Sequence, residues 1–184
     1  MKLLKLNLII YISLMLICTI GCKKDEKTTW ESLPGCTNEP IFTHLPLAEH
    51  DILNFIPLGH YNQPGHTFPT DHHYFDKIIE HGVVPIYAAC DGWIISVVEV
   101  VSSASTINQY SLELAPCNKM KNIYGHISDI TQEIKDKLGK VDHKESYETG
   151  GHTYERNMYE TKIFVNAGDK IGELADLPEG VGID

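Results

Sequence analysis

Ten histidines occur among 184 residues, and they are densest in one stretch, Gly65-His66-Thr67-Phe68-Pro69-Thr70-Asp71-His72-His73-Tyr74-Phe75-Asp76. Imidazole and carboxylate groups at short spacing form a donor set for a divalent metal, zinc above all. His72 and Asp76 stand four apart, and in an extended chain positions separated by an even number face the same way, so both can turn toward one ion. His66 and Asp71 stand five apart and need a turn, which Pro69 can supply. A shift of two residues would bring His66, Asp71 or His73 in place of the first pair. A histidine-rich loop is also ordinary hydrogen-bonding surface, and spacing alone leaves these alternatives open.

The remaining reactive groups are sparser. Of five cysteines, Cys18 and Cys22 lie at the N-terminus, so Cys36, Cys90 and Cys117 allow at most one intramolecular disulfide in the body of the chain, with its pairing open. No two are spaced like a zinc knuckle. A phosphate-binding glycine loop, a nucleophile elbow and a Cys/His dyad at a recognisable spacing are absent from the sequence. His126, in Tyr124-Gly125-His126-Ile127-Ser128, reads either as a chemical group or as a strand-end histidine bonded to a neighbouring carbonyl. Trp93, Tyr87 and Tyr124 read as core or groove residues, and His143 and His152 as solvated.

The elements that must position these groups are mostly strands. Short runs rich in Val, Ile, Tyr and Ser, at Tyr74-Phe75, Pro85 to Ala88, Trp93 to Val101, Tyr110 to Ala115 and Asn122 to Ile127, are separated by turn residues. Ser128 to Leu138 predicts one short helix, capped by Ser128, with Ile130, Ile134 and Leu138 recurring every four residues and Gly139 as the stop. Lys140 to Glu155 is charged and polar and reads as an exposed loop; Lys162 to Val165 and Lys170 to Leu174 then read as a strand pair around Asn166-Ala167-Gly168-Asp169. The expected fold is a mostly β domain with one short helix, over residues 41–184.

Composition narrows the function classes. With 15 Lys+Arg against 25 Asp+Glu the formal net charge is −10, which excludes a nucleic-acid binder, and 42% hydrophobic residues is an ordinary globular content. Met1 to Lys5 is short and positive, and Leu6 to Ile20 is an apolar run ending at Thr19-Ile20-Gly21-Cys22, followed by Lys23-Lys24-Asp25. This is a secretory signal pattern, and it resembles a bacterial lipobox, with residues 1–21 cleaved and Cys22 lipidated. An uncleaved N-terminal anchor is the alternative. Either way the domain is expected outside the cytoplasmic membrane. Lys23 to Asn38, polar and containing Pro34-Gly35, reads as a tether within residues 22–40.

Four stretches occur in a meaningful order: His72-His73-Tyr74-Phe75-Asp76; Gly82-Val83-Val84-Pro85-Ile86-Tyr87-Ala88-Ala89-Cys90-Asp91-Gly92-Trp93-Ile94; Tyr124-Gly125-His126-Ile127-Ser128; and Val165-Asn166-Ala167-Gly168-Asp169-Lys170-Ile171-Gly172-Glu173. In that order they resemble the M23 peptidases, the LytM-like zinc endopeptidases that cut peptide cross-bridges of bacterial cell walls. The resemblance covers about residues 66–174, and it implies a small antiparallel β fold with a groove over the sheet and a zinc ion at its floor. It implies His72 and Asp76 as the first two zinc ligands and His126 as the histidine assisting the metal-bound water. A zinc ion with three protein ligands keeps a position for water and polarises a carbonyl.

The family's final His-x-His, which supplies a catalytic histidine and the third ligand, has no counterpart after Ile171. By register, Gly182-Ile183-Asp184 falls at that place, with Asp184 as the third ligand and glycine where the catalytic histidine belongs; the other possibility is a chain that stops short of the motif. Three functions therefore compete. One is an envelope lipoprotein with a degenerate M23-like domain that binds peptidoglycan or regulates a wall hydrolase. The second is an active zinc endopeptidase. The third is a surface lipoprotein that binds a protein or glycan unrelated to the wall.

Overall fold

The computed structural model describes residues 30–37, 39, 41–60 and 72–175. Ten strands and one helix are present there: β1 (Ile52–Ile56), β2 (Tyr74–Lys77), β3 (Val84–Tyr87), β4 (Gly92–Ser102), β5 (Gln109–Cys117), β6 (Met120–Ile127), β7 (Asp129–Ile130), α1 (Gln132–Lys137), β8 (His143–Thr149), β9 (His152–Val165) and β10 (Lys170–Leu174). They form a five-stranded sheet in the order β6-β5-β4-β9-β8, a three-stranded sheet β3-β10-β7 and the pair β1-β2, with antiparallel pairing throughout. The mostly β, antiparallel expectation therefore matches the structure.

A bulge sets the geometry of the large sheet. Ile94 pairs with Leu114 and Val97 with Leu112, so three steps along β4 match two along β5. Side chains alternate along a strand, and Ile94 and Val97 would point to opposite faces without that extra residue. With it, both join Leu112, Leu114, Tyr124, Ile127, Ile163 and Ile171 in the main core, while Ile95 turns to the other face and packs with Leu33 and Ala115. Ile94, Leu114 and Ile171 are wholly buried.

The N-terminal segment departs from the expected tether. From Trp30 to Cys36 the chain is fastened to the sheet: Leu33 is buried, the Trp30 indole donates to the Cys117 carbonyl at 3.0 Å, and Cys36 is disulfide-bonded to Cys117. Two aromatic or aliphatic side chains and one bond suffice to dock a segment whose polar composition reads as linker. Cys90 is the free thiol, buried in the main core.

Two local expectations are corrected. The helix does not start at Ser128, because the sheet claims that stretch first: Ser128 N–H donates to the Glu173 carbonyl, and Asp129 and Ile130 pair with β10 as β7. The helix is confined to Gln132–Lys137, with Thr131 at its N-cap. Nor is Lys140 to Glu155 a loop. It forms a hairpin in which Thr149 pairs with His152 across Gly150 and Gly151, both at positive φ, the backbone that a two-residue primed turn requires. β1, which no sequence signal marked, pairs with β2.

Candidate functional site

Three of the four motif stretches meet at one turn. The N–H of Ala88 donates to the Asp169 carbonyl at 2.9 Å and its carbonyl accepts from Gly168 N–H at 2.8 Å. Ala89 N–H donates to the Tyr124 hydroxyl at 2.8 Å in a buried bond. The Asp91 carboxylate accepts from Ala167 N–H at 2.8 Å. Asp169 in turn accepts from the Asn166 backbone and side chain, and the backbone bond first, then the side-chain one, holds its carboxyl below the usual value. The motif glycines have a steric reason here: a Cβ on Gly92 would lie 2.8 Å from the Ala115 carbonyl oxygen, and one on Gly172 would lie 2.7 Å from that of Asp129.

His126 stands out by its backbone. It has φ 55°, and among the described residues it is the non-glycine with positive φ. The cause is a second bulge: Tyr110 pairs with Ile127 and Leu112 with Tyr124, so Gly125-His126 adds one residue to β6. Bulges of this kind re-aim a side chain, and an imidazole held in the left-handed region carries a conformational cost that its surroundings must offset. Its Nδ1 is 3.1 Å from the Gln109 side-chain oxygen. With that oxygen as acceptor, Nδ1 bears the proton and Nε2 is the basic nitrogen. Of the two sequence readings of His126, the structure meets the strand-end one in part: it lies near the end of β6 and bonds a carbonyl, although that carbonyl belongs to a side chain.

A cleft of about 440 Å³ has Asn108, Tyr110, Ser128, Asp129 and Glu173 in its wall, together with Val83, Ile107 and Ala175; His126 does not line it. Behind the wall, Glu99 accepts from Asn108 (2.9 Å), the Tyr110 hydroxyl (3.0 Å) and Asn157 (3.1 Å). Burial first, and then the hydrogen bond and charge of Glu99, push the Tyr110 phenol up to about 12. The phenol is thus a neutral donor throughout the physiological range. Sequence reasoning missed Glu99 and Tyr110. The usable signal was parity: Glu99 lies two residues beyond core-facing Val97 on β4, where a carboxylate must find partners.

The metal candidates lie on and just before β2. Asp76 pairs with Asn54, and His72 precedes the strand with its ring 4.6 Å from that of Tyr74. His73 instead joins Phe55 and Phe75 in an aromatic cluster. Tyr74 comes between the two nominated ligands in sequence, and the chain bends at His72, outside β2, so strand alternation alone does not set how the two side chains face. Among the described residues no three His, Cys, Asp or Glu side chains group to hold a metal ion. His66, Asp71, Asp184 and the lipidation candidate Cys22, with the signal segment, lie outside the described residues.

Comparison with protein-family models, with curated proteins and with solved structures finds no match. No helix of the described residues is long and apolar enough to cross a membrane.

Proposed function

We propose that this chain is a cell-envelope lipoprotein, held by a lipid on Cys22, whose β domain is of the M23 (LytM-like) type and binds peptidoglycan, or regulates a wall hydrolase, without cutting. The observation that carries this reading is the convergence of the second, third and fourth motif stretches at Ala88, Ala89 and Asp91. Short motifs scattered over about ninety positions can match by chance; here they interlock through main-chain bonds between Ala88 and Gly168 and Asp169 and through the Tyr124 hydroxyl and the Asp91 carboxylate. The Cys36–Cys117 disulfide supports an oxidising compartment. The cleft at Tyr110 and Ser128 mixes hydroxyl, amide and carboxylate groups with Val83, Ile107 and Ala175, a lining suited to a polymer with polar and apolar parts, such as a glycan with its peptide stem.

Binding is preferred to hydrolysis because, by the family register, Gly182 stands where the catalytic histidine belongs, and glycine has no proton to exchange. The second reading, a zinc endopeptidase with Asp184 as third ligand, is favoured by one feature, the left-handed backbone that aims His126. Zinc, if held by His72, Asp76 and Asp184, would supply a Lewis acid and an activated water; His126 would orient the attacking group through Nε2.

Two measurements on the full chain separate the readings. Co-sedimentation with purified peptidoglycan, with no bound zinc and no clearing in a zymogram, is the expected result. About one zinc per chain, lost in His72→Ala, together with clearing that vanishes in His72→Ala or His126→Ala, would establish the endopeptidase instead. Failure to sediment with peptidoglycan would redirect the search to a ligand outside the wall.

A further inference from the structure

We propose that the edge strand β8 is a self-association surface, and that two copies of this chain pair antiparallel through it, joining their five-stranded sheets into one continuous sheet.

β8 is the outer strand of its sheet, and all seven of its residues are exposed. An edge strand offers a row of outward N–H and C=O groups to any strand of matching shape. Proteins usually guard such edges with proline, bulges, very short strands or charged side chains, lysine above all. Apart from its charges, Lys144, Glu145 and Glu148, β8 has none of these: it contains no proline, and its pairing with β9 runs in unbroken register from His143↔Met158 to Thr149↔His152, while the other three pairings of that sheet each carry a shift. The opposite edge, β6, is guarded in this sense by its bulge at Gly125-His126. The hairpin is also stiff. Tyr147 and Tyr154 stack at 5.3 Å with their planes 8° apart, and Lys144–Glu155 and Arg156–Glu145 ion pairs cross between its strands.

Charge complementarity selects a second copy as the occupant. A two-fold axis perpendicular to the sheet preserves the facing of side chains, so residues opposite one another must share parity. Three central registers then exist. Centred on Glu145, two glutamates oppose each other; centred on Tyr147, Lys144 has no acidic partner within β8. Centred on Ser146, Lys144 faces Glu148 of the copy, Glu148 faces Lys144, and no like charges are opposed. The sequence His143-Lys144-Glu145-Ser146-Tyr147-Glu148-Thr149 is thus complementary to its own antiparallel image. A seven-residue edge buries less area than a permanent dimer needs, so the association is weak and concentration-dependent.

Cysteine cross-linking of the full chain tests the register. Ser146→Cys places two thiols on directly opposed positions, whereas Lys144→Cys does not oppose itself. Mild oxidation should give a covalent homodimer with Ser146→Cys, little with Lys144→Cys alone, and a dimer again when Lys144→Cys is mixed with Glu148→Cys; the unsubstituted chain, which contains Cys18 and Cys22, sets the background. A charge swap gives a second, cysteine-free readout: Lys144→Glu should weaken the dimer roughly tenfold, and Lys144→Glu combined with Glu148→Lys should restore it. Cross-linking of Ser146→Cys no greater than background, equal yields at every position, linkage only to a different protein, or no rescue by the double swap would each overturn the proposal.

Discussion

The hydroxyl of Tyr124 accepts a hydrogen bond from the backbone N–H of Ala89 at 2.8 Å, in a buried position and across 35 residues of sequence. One phenol thereby ties the end of β6, and with it the His126 bulge, to the turn before β4. Replacing it tests the connection directly. Tyr124→Phe keeps the ring packing but strands a buried donor, and should cost about 1–3 kcal/mol, read as a lower midpoint in urea unfolding. A midpoint unchanged from the native chain would mean that the Ala89 N–H finds another acceptor.

The disulfide between Cys36 and Cys117 spans 81 positions. Closing so long a loop restricts the unfolded chain, and its reduction should cost roughly 2–4 kcal/mol. Thermal unfolding with and without reductant measures this, and a Cys36→Ser variant should match the reduced protein.

Gly172 and Gly139 make a matched pair. A Cβ at Gly172 meets the Asp129 carbonyl oxygen at 2.7 Å and the Ile127 side chain at 2.8 Å, whereas one at Gly139 meets nothing within 4 Å. Gly172→Ala should destabilise by ~1–3 kcal/mol because two backbones must separate; Gly139→Ala should change stability little. Equal effects would remove the steric reason given for the motif glycine.

High pH should loosen the fold in a defined window. Tyr110 is raised from 10.0 to about 12, first by burial and then by Glu99, and Cys90 from 9.0 to about 11, first by burial and then by Asp91. Both groups hold their protons in the folded state where the unfolded chain has released them. Stability from this source is therefore complete below about pH 9 and is lost as pH rises toward 12. Tyr110→Phe should flatten the alkaline decline, measured by denaturant midpoints between these limits. The Cys90 thiol should stay unreactive toward a disulfide reagent in native buffer and react on unfolding.

His126 carries a backbone cost that glycine would not. His126→Gly should be more stable than His126→Ala by about 1 kcal/mol, since both lose the contact with Gln109 and only alanine keeps a side chain at positive φ. Equal stabilities would argue that the bulge relaxes once the imidazole is gone.

Much of the strand framework was legible because apolar runs and turn residues alternate clearly from Pro85 to Ile127. What escaped had physical causes. β1 carries Leu53 and Phe55 outward beside Asn54, so its pattern does not alternate. The β8–β9 hairpin is exposed and charged, and only Gly150-Gly151 marked its turn. Ser128 has the chemistry of a helix cap, yet pairing with β10 overrides local propensity. At the site, the motif resemblance pointed to His126, but the bulge that aims it is set by the register between β5 and β6, and the Glu99 cluster behind Tyr110 draws in Asn157, 58 residues away in sequence.

The Cys36–Cys117 bond also defines a path for mechanical load. Tension applied to the chain ahead of Cys36 crosses the sulfur bridge and enters the sheet at the end of β5, then continues into β6. The residues between the two cysteines form a closed covalent ring that this path bypasses. β1, β2, β3 and β4, with His72, Asp76 and the Ala88–Asp91 turn, lie within that ring. A pull from the N-terminal side would work first against the docking of Trp30 and Leu33 on Ile95 and Ala115 and then load the β5–β6 junction, leaving β1, β2 and β3 off the path.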